Sequence, residues 1–158
     1  MTEKQFWMKL DQLSGKRNQE GLYIEARNIL KQAYADDLRV IGGVVRNRED
    51  PSICRQLYFG MTEEKPEPDG NRYMLCYTSR HMAERDPALP EPCELLPVRF
   101  VIDNMRLKPA IGGLVFNRSD PDRALFVPKV FLEDEPVDIV KAMSDVFHLV
   151  KRSCQNRG

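Results

Sequence analysis

The chain has 158 residues, a length typical of one domain with a substantial hydrophobic core. Its 24 basic and 24 acidic residues give a formal net charge of zero, which argues against a general attraction to nucleic-acid backbones or anionic membranes. The 42% hydrophobic and 30% charged fractions are typical of a globular protein and exclude a disordered chain. We therefore expect a single domain over residues 1–158, with residues 1–19 forming a helix and connector at its periphery.

The four cysteines, Cys54, Cys76, Cys93 and Cys154, are widely spaced and form no C-x-x-C pair. Disulfide frameworks belong mostly to small secreted domains, and zinc sites usually show closely spaced Cys or His ligands, so we expect free thiols and no metal. The chain opens with a charged, mixed stretch instead of a signal-peptide pattern, and its apolar runs are far shorter than the ~20 residues that cross a bilayer. These features predict a cytoplasmic location without membrane association.

Two amphipathic helices are predicted at the start of the chain. Thr2 and Gln5 have the spacing of a capping box, and an apolar stripe at helical spacing follows them, which predicts a helix over residues 2–14. A second helix is predicted over residues 20–34, where apolar residues recur at i, i+4, i+7, i+8 and i+11. Its broad apolar face suits packing on a sheet.

An eleven-residue string that occurs twice dominates the middle of the chain. Ile41–Pro51 and Ile111–Pro121 are identical at eight positions and lie 70 residues apart. Weaker likeness on both sides extends each copy into a helix-strand-turn-strand unit, over about residues 20–61 and 97–128. Each copy contains a glycine pair that would cost about 1 kcal/mol per residue inside a helix, so strands are favoured. They are predicted at 39–46, 55–61, 111–117 and 123–128, with the glycines marking a bulge or a close approach.

Residues 72–78 between the copies alternate as a strand, with Tyr73, Leu75 and Tyr77 on one face. Ser79 is placed to cap a short helix that ends near residue 85. Four prolines predict that residues 86–97 are mostly loop.

Two further helices are predicted in the last third of the chain, over residues 97–107 and from Pro136 to about residue 150. Proline at a first helical position and acidic residues just before it favour the second of these. The complete pattern predicts an α+β domain in which a mainly antiparallel sheet carries helices packed on one face.

The sequence contains no phosphate-binding glycine loop, zinc motif or nucleophile elbow, so we assign no catalytic residue, metal or cofactor. The candidate binding residues are polar positions in the predicted turns and strand ends: Asn47, Arg48, Thr78, Ser79, Asn117 and Arg118. The two Asn-Arg pairs either present arginines to one acidic partner or are turn residues retained after a duplication, and we favour the second reading. A nucleic-acid role would require Arg46, Arg48, Arg118 and Arg123 to share one surface.

Three segments carry a likeness to a known family: Leu57–Phe59, Asp69–Ser79 and Gly113–Asn117. In Asp69–Ser79 that family tends toward a glycine turn, an apolar strand and a Phe-Thr-Ser/Asp ending, and Gly113–Asn117 is similar to its Gly-Ile-Val-Val-Asn-Pro segment. On these segments, residues 57–132 resemble the N-terminal domain of the SseB family, the enhanced-serine-sensitivity proteins. Arg118 replaces the proline of that segment, and Ile41–Pro51 has no counterpart. The resemblance implies no catalytic residues. The order of elements is also similar to that of small secretion-chaperone-like domains, which is an analogy of fold alone.

We therefore expect a non-enzymatic binding or adaptor domain that recognises protein or forms a homodimer, without a nucleic-acid or membrane partner. One alternative is an enzyme whose site is assembled near Thr78, Ser79 and Asn117. Another is a secretion-chaperone-like dimeric module.

Overall fold

The computed structural model describes residues 1–16, 20–46, 49–50, 52, 54–56, 58–60, 70, 72–87 and 94–133. These residues form four α-helices, eight strands and one 3-10 helix. The helices are α1 (Glu3–Ser14), α2 (Glu20–Ala35), α3 (Arg80–Glu84), α4 (Val98–Leu107) and the 3-10 helix η1 (Lys129–Leu132). The strands are β1 (Arg39–Gly42), β2 (Val44–Arg46), β3 (Cys54–Gln56), β4 (Tyr58–Gly60), β5 (Arg72–Tyr77), β6 (Glu94–Pro97), β7 (Ile111–Phe116) and β8 (Leu125–Pro128).

A six-stranded mixed sheet lies at the centre of the described part of the chain. Five of its strands follow the order β6-β1-β5-β7-β8, and the sixth, β4, pairs with β5 outside this order. One edge of β5 pairs with β4 in its first half and with β1 in its second half. The other edge pairs with β7, and this pair is the sheet's one parallel pair because the chain crosses over between the two strands. A separate antiparallel pair joins β2 and β3. The predicted α+β class with a mainly antiparallel sheet is therefore confirmed.

The helices predicted at the start of the chain form with nearly the expected bounds. The hydroxyl of Thr2 accepts a hydrogen bond from the backbone N–H of Gln5, while the Gln5 side chain accepts one from the backbone N–H of Thr2. This capping box satisfies donors that the first helical turn leaves unpaired. The Ser79 hydroxyl caps α3 in the predicted way, through the N–H of Met82.

The main core lies between one face of the sheet and three of the helices. α1, α2 and α4 contribute Phe6, Leu10, Leu22, Ala26, Leu30, Val101, Ile102 and Met105, which pack against Met74, Cys76, Leu114 and Phe116 of β5 and β7. The short α3 lies on the opposite face, where Met82 and Ala83 pack against Ile41 and Tyr77. Tyr73 and Leu75 are also buried on this second face, which confirms the predicted alternation along β5.

The two copies of the repeated string take different positions around β5. Ile41–Arg46 is interrupted at Gly43 and contributes to both sheets, whereas Ile111–Phe116 is one continuous strand. β1 is antiparallel to β5 and β7 is parallel to it. Each string does follow a helix, but the duplicated helix-strand-turn-strand unit is not confirmed as a repeated structural unit.

The glycine pair in the second copy has the role predicted for it. The register between β5 and β7 shifts at Gly112, as in a β-bulge. A Cβ at Gly112 would collide with the backbone of Gly70, whereas a Cβ at the equivalent Gly42 would meet only the side chain of Leu96. The second position therefore requires glycine because another segment of backbone approaches closely.

One predicted loop contains a strand, and one predicted helix lies outside the described residues. Residues 94–97 were expected to be loop, but β6 pairs with all four residues of β1, from Arg39↔Pro97 to Gly42↔Glu94. Proline is tolerated there because it lies at the end of an outer strand. The helix predicted from Pro136 falls beyond residue 133. Within the described residues, no helix has both the length and the apolar character needed to span a bilayer.

Candidate functional site at the strand ends

Thr78 and Asn117 lie side by side because the parallel strands β5 and β7 end at the same edge of the sheet. The Thr78 backbone N–H donates to Asn117 Oδ1 at 3.1 Å, and Asn117 Nδ2 donates to Thr78 Oγ1 at 2.9 Å. Both residues are buried, and Asn117 is 0% exposed. The carboxyl ends of parallel strands are a common place for ligand sites in α/β sheets, which makes this edge the first place to look for chemistry.

Asn117 also turns the chain sharply after β7. Its φ of 57° lies in the left-handed region, which asparagine tolerates better than most residues. The turn that follows is held by two backbone hydrogen bonds, from Asp120 N–H to Asn117 O and from Arg123 N–H to Asp120 O, each 3.0 Å long. The prediction that asparagine supplies turn geometry in the repeated string is confirmed for this copy.

Two further side chains cover this edge of the sheet, Asp11 of α1 and Arg123 of the turn after β7. The Thr78 hydroxyl donates to Asp11 Oδ1 at 2.8 Å, and the same carboxylate oxygen lies 2.8 Å from Arg123 Nη2. Arg123 also donates to the Asp11 carbonyl at 2.9 Å, in the last turns of α1, where a cation complements the helix dipole. These contacts bind the N-terminal helix to the ends of both central strands.

A second ion pair lies beside the first and is more deeply buried. Arg118 Nη2 and Nε donate to the two oxygens of Asp86 at 2.8 and 3.2 Å, and the Tyr77 hydroxyl donates to Asp86 Oδ2 at 2.7 Å. The side chain of Asp86 is 0% exposed and that of Arg118 is 22% exposed. Burial and the hydrogen bond to Asp86 both raise the pKa of the Tyr77 phenol above its ordinary value, so it stays protonated and acts as a donor.

The groups that resemble nucleophiles at this edge are engaged in structural contacts. The Thr78 hydroxyl both donates and accepts inside the cluster, and the Ser79 hydroxyl caps α3. Burial raises the pKa of the Cys76 thiol to about 12, so the reactive thiolate is suppressed at neutral pH. Across the described ranges, no three His, Cys, Asp or Glu side chains converge in the manner of a metal site.

The structure brings together three of the predicted site residues, Thr78, Asn117 and Arg118, and leaves Ser79 in a local capping role. Asn47 and Arg48 lie outside the described residues. Of the four arginines whose clustering would suggest nucleic-acid binding, Arg118 and Arg123 are neutralised by carboxylates. The sequence analysis missed Asp11 and Asp86, which lie far along the chain from the residues they hold.

A different group of side chains lies at the opposite end of the helical layer, where α2, α4 and η1 meet. A small pocket of about 230 Å³ is lined by Lys31, Tyr34, Ile102, Arg106 and Leu132. The guanidinium groups of Arg99 and Arg106 lie 5.5 and 5.9 Å from the centre of the Tyr34 ring, within the range of cation–π attraction. The Tyr34 hydroxyl donates to Asp103 at 2.8 Å, and this bond is the main cause that raises the pKa of the phenol.

The outer face of α4 continues from this pocket. Phe100 is 52% exposed and Leu107 is 81% exposed, although both are large apolar side chains. At 100° per residue the two fall on one side of the helix, next to the side that carries Arg99, Asp103 and Arg106. We refer to these five residues as the α4 surface.

Comparison with known proteins adds no relative, since no protein-family model, curated protein or solved structure matches the chain. The resemblance to the SseB family therefore rests on the sequence segments alone.

Proposed function

We propose that this protein is a non-enzymatic, SseB-like binding or adaptor domain of the cytoplasm that recognises another protein through the α4 surface. The observation that carries the proposal is the exposure of Phe100 and Leu107 on one side of a helix whose other side is buried. Val98, Val101, Ile102 and Met105 already anchor α4 in the core. Phe100 and Leu107 remain half or more exposed outside that anchored side of the helix.

Two large exposed apolar side chains on the same side of a helix favour an interaction surface over a solvated one. Isolated exposed apolar residues are common, so the pairing on one helix and the adjacent arginines matter more than either exposure alone. Arginine and aromatic residues are enriched at the centres of protein interfaces, and α4 presents both types side by side.

The cluster at the strand ends also supports the proposal, because its polar side chains are used to hold the fold together. Its hydroxyl, amide and carboxylate groups bond to one another, and these bonds tie α1 to β5, β7 and the turn after β7. Such a network rigidifies a fold when its members are satisfied. An enzyme site near Thr78, Ser79 and Asn117 would require several of these bonds to open.

A homodimer, including a secretion-chaperone-like one, would use the same α4 surface in a self-complementary contact. Light scattering across a concentration series decides between this outcome and a different partner. A mass that doubles in the wild type and not in a Phe100→Glu/Leu107→Glu variant would identify the homodimer.

The proposal is tested by affinity capture from the native host, quantified by mass spectrometry, with three forms of the full chain. The Phe100→Glu/Leu107→Glu variant should lose a specific protein that the wild type captures. Arg80→Glu is the matched control, because Arg80 is an exposed position on α3, which packs on the opposite face of the sheet. Capture that is equal for all three forms, or capture of no specific protein, would contradict the proposal.

A further inference from the structure

We infer that the pocket between α2, α4 and η1 receives one apolar side chain of an acidic peptide segment in the partner protein. This inference rests on the proposed function and assigns the chemistry of the partner. The pocket supplies an apolar floor, and cationic side chains border it.

The floor of the pocket consists of side chains that are already shielded from water in the folded protein. Ile102 and Leu132 are buried, and the Tyr34 ring forms one wall. A bulky apolar side chain placed there would lose contact with water, and the burial of its apolar surface would stabilise a complex. The volume of about 230 Å³ is below the roughly 300–1,000 Å³ of typical small-molecule and cofactor sites. A single side chain suits this pocket better than a cofactor does.

The rim carries Arg106, whose own contacts among the described residues leave its positive charge unpaired, beside the Asp103 carboxylate that accepts a hydrogen bond from Tyr34. Arg106 Nη2 donates to the Leu132 carbonyl at 2.7 Å and its guanidinium lies against the Tyr34 ring, but no carboxylate of the described residues pairs with it. Arg99 differs, since Asp37 lies 3.8 Å from its Nε. Lys31 lines the α2 side of the pocket.

Arg27 strengthens the preference for negative charge one helical turn before Lys31. Arg27 lies one helical turn after Tyr23, whose ring stacks on that of Phe131 in η1 with 5.1 Å between the ring centres. This side of α2 therefore runs along η1 toward the pocket. The Nε of Arg27 is buried and has no hydrogen-bond partner among the residues that the structure describes. A carboxylate of a bound segment would supply the kind of acceptor that such a donor needs.

A peptide fits these observations better than a nucleic acid does. The faces of the Tyr34 ring attract the guanidinium groups of Arg99 and Arg106, so the ring does not offer the open platform on which a base stacks. The formal net charge of the whole chain is zero, so no long-range positive potential draws a phosphate backbone to this pocket. A short acidic segment with one apolar anchor needs only a local match of charge and shape.

The test uses fluorescent peptides of about twelve residues. The probe contains glutamate and serine with a single central leucine. One control replaces the leucine with serine, and the other replaces every glutamate with lysine. Fluorescence anisotropy with the full-length wild-type protein should show saturable binding of the probe and no saturable binding of either control peptide. Binding should weaken when the salt concentration rises from about 0.05 to 0.3 M, because salt screens exposed charges.

Variants locate the binding on the protein. Arg106→Glu and the milder Arg106→Gln should weaken binding of the probe, the first by at least about tenfold. Arg80→Glu, on the opposite side of the sheet, should bind like the wild type. Circular dichroism of each variant confirms that it is folded, and Arg106→Gln keeps the test valid if charge reversal prevents folding.

Several results of the binding experiments would overturn the inference. These are absence of saturable binding, equal binding of the peptide that lacks leucine, or equal weakening by the control variant Arg80→Glu. Saturation by a single-stranded oligonucleotide in place of the acidic peptide would also overturn it. If a captured partner depends on Phe100 and Leu107 but is indifferent to Arg106→Glu, the pocket inference fails and the proposed function stands. If neither set of variants affects capture, both fail.

Discussion

Replacing Asn117 with alanine should destabilise the protein by about 3–5 kcal/mol, because this one side chain joins the ends of β5 and β7. The substitution leaves the buried Thr78 N–H without an acceptor, which costs about 1–3 kcal/mol. It also removes the hydrogen bond to Thr78 Oγ1, whose net contribution is about 1 kcal/mol. Alanine at a φ of 57° adds about 1 kcal/mol of backbone strain.

Asn117→Gly separates the two causes, since glycine loses the same hydrogen bonds but tolerates the left-handed backbone. It should be less destabilised than Asn117→Ala by about 1 kcal/mol. Urea unfolding followed by circular dichroism and by the fluorescence of Trp7, the single tryptophan, measures both free energies of unfolding. Asp122→Ala is the control, because Asp122 is exposed in the same turn and should change stability little. A glycine variant no more stable than the alanine variant, or an alanine variant within about 1 kcal/mol of wild type, would refute this account of the strand ends.

Three further predictions concern the fold around the site. Thr2→Ala should lower the free energy of unfolding by about 1 kcal/mol in a urea titration, because it removes the N-cap of α1, and no change would contradict the capping box. Gly112→Ala should destabilise by about 1–3 kcal/mol and Gly42→Ala by less, because only the first new methyl group meets backbone; equal thermal shifts would contradict this. In a variant that keeps only Cys76, the native thiol should resist alkylation at neutral pH, and stability should fall as the pH rises from 9.0 toward about 12, since the unfolded thiol ionises first. Rapid native alkylation, detected by mass spectrometry, would refute the burial of Cys76.

The sequence predicted the features whose causes lie within a few residues of chain. The capping box at Thr2 and the cap at Ser79 depend on contacts three residues apart, and both form as expected. The alternation of β5 and the apolar stripes of α1 and α2 reflect the periods of strand and helix, which a single segment reveals. Asn117 could be assigned to a turn because its side-chain chemistry suits a left-handed backbone.

The missed features depend on contacts between distant segments. Residues 94–97 look like a proline-rich loop, and only their pairing with β1 makes them a strand. Asp11 is 67 residues from Thr78 and 112 residues from Arg123, and Asp86 is 32 residues from Arg118. No local spacing indicates such ion pairs. For the same reason, the sequence could not show that the two repeated strings occupy different environments, because their identical residues lie beside different strands.

Hydrogen–deuterium exchange of the full-length protein, alone and with its captured partner, distinguishes a binding surface on α4 from one at the strand ends. If α4 carries the interaction surface and the strand-end cluster is a structural clamp, binding slows exchange in residues 98–107 and in the adjoining η1, and leaves residues 78–87 and 117–123 unchanged. Slower exchange confined to residues 78–87 and 117–123 would contradict this prediction and would place the binding site at the ends of β5 and β7.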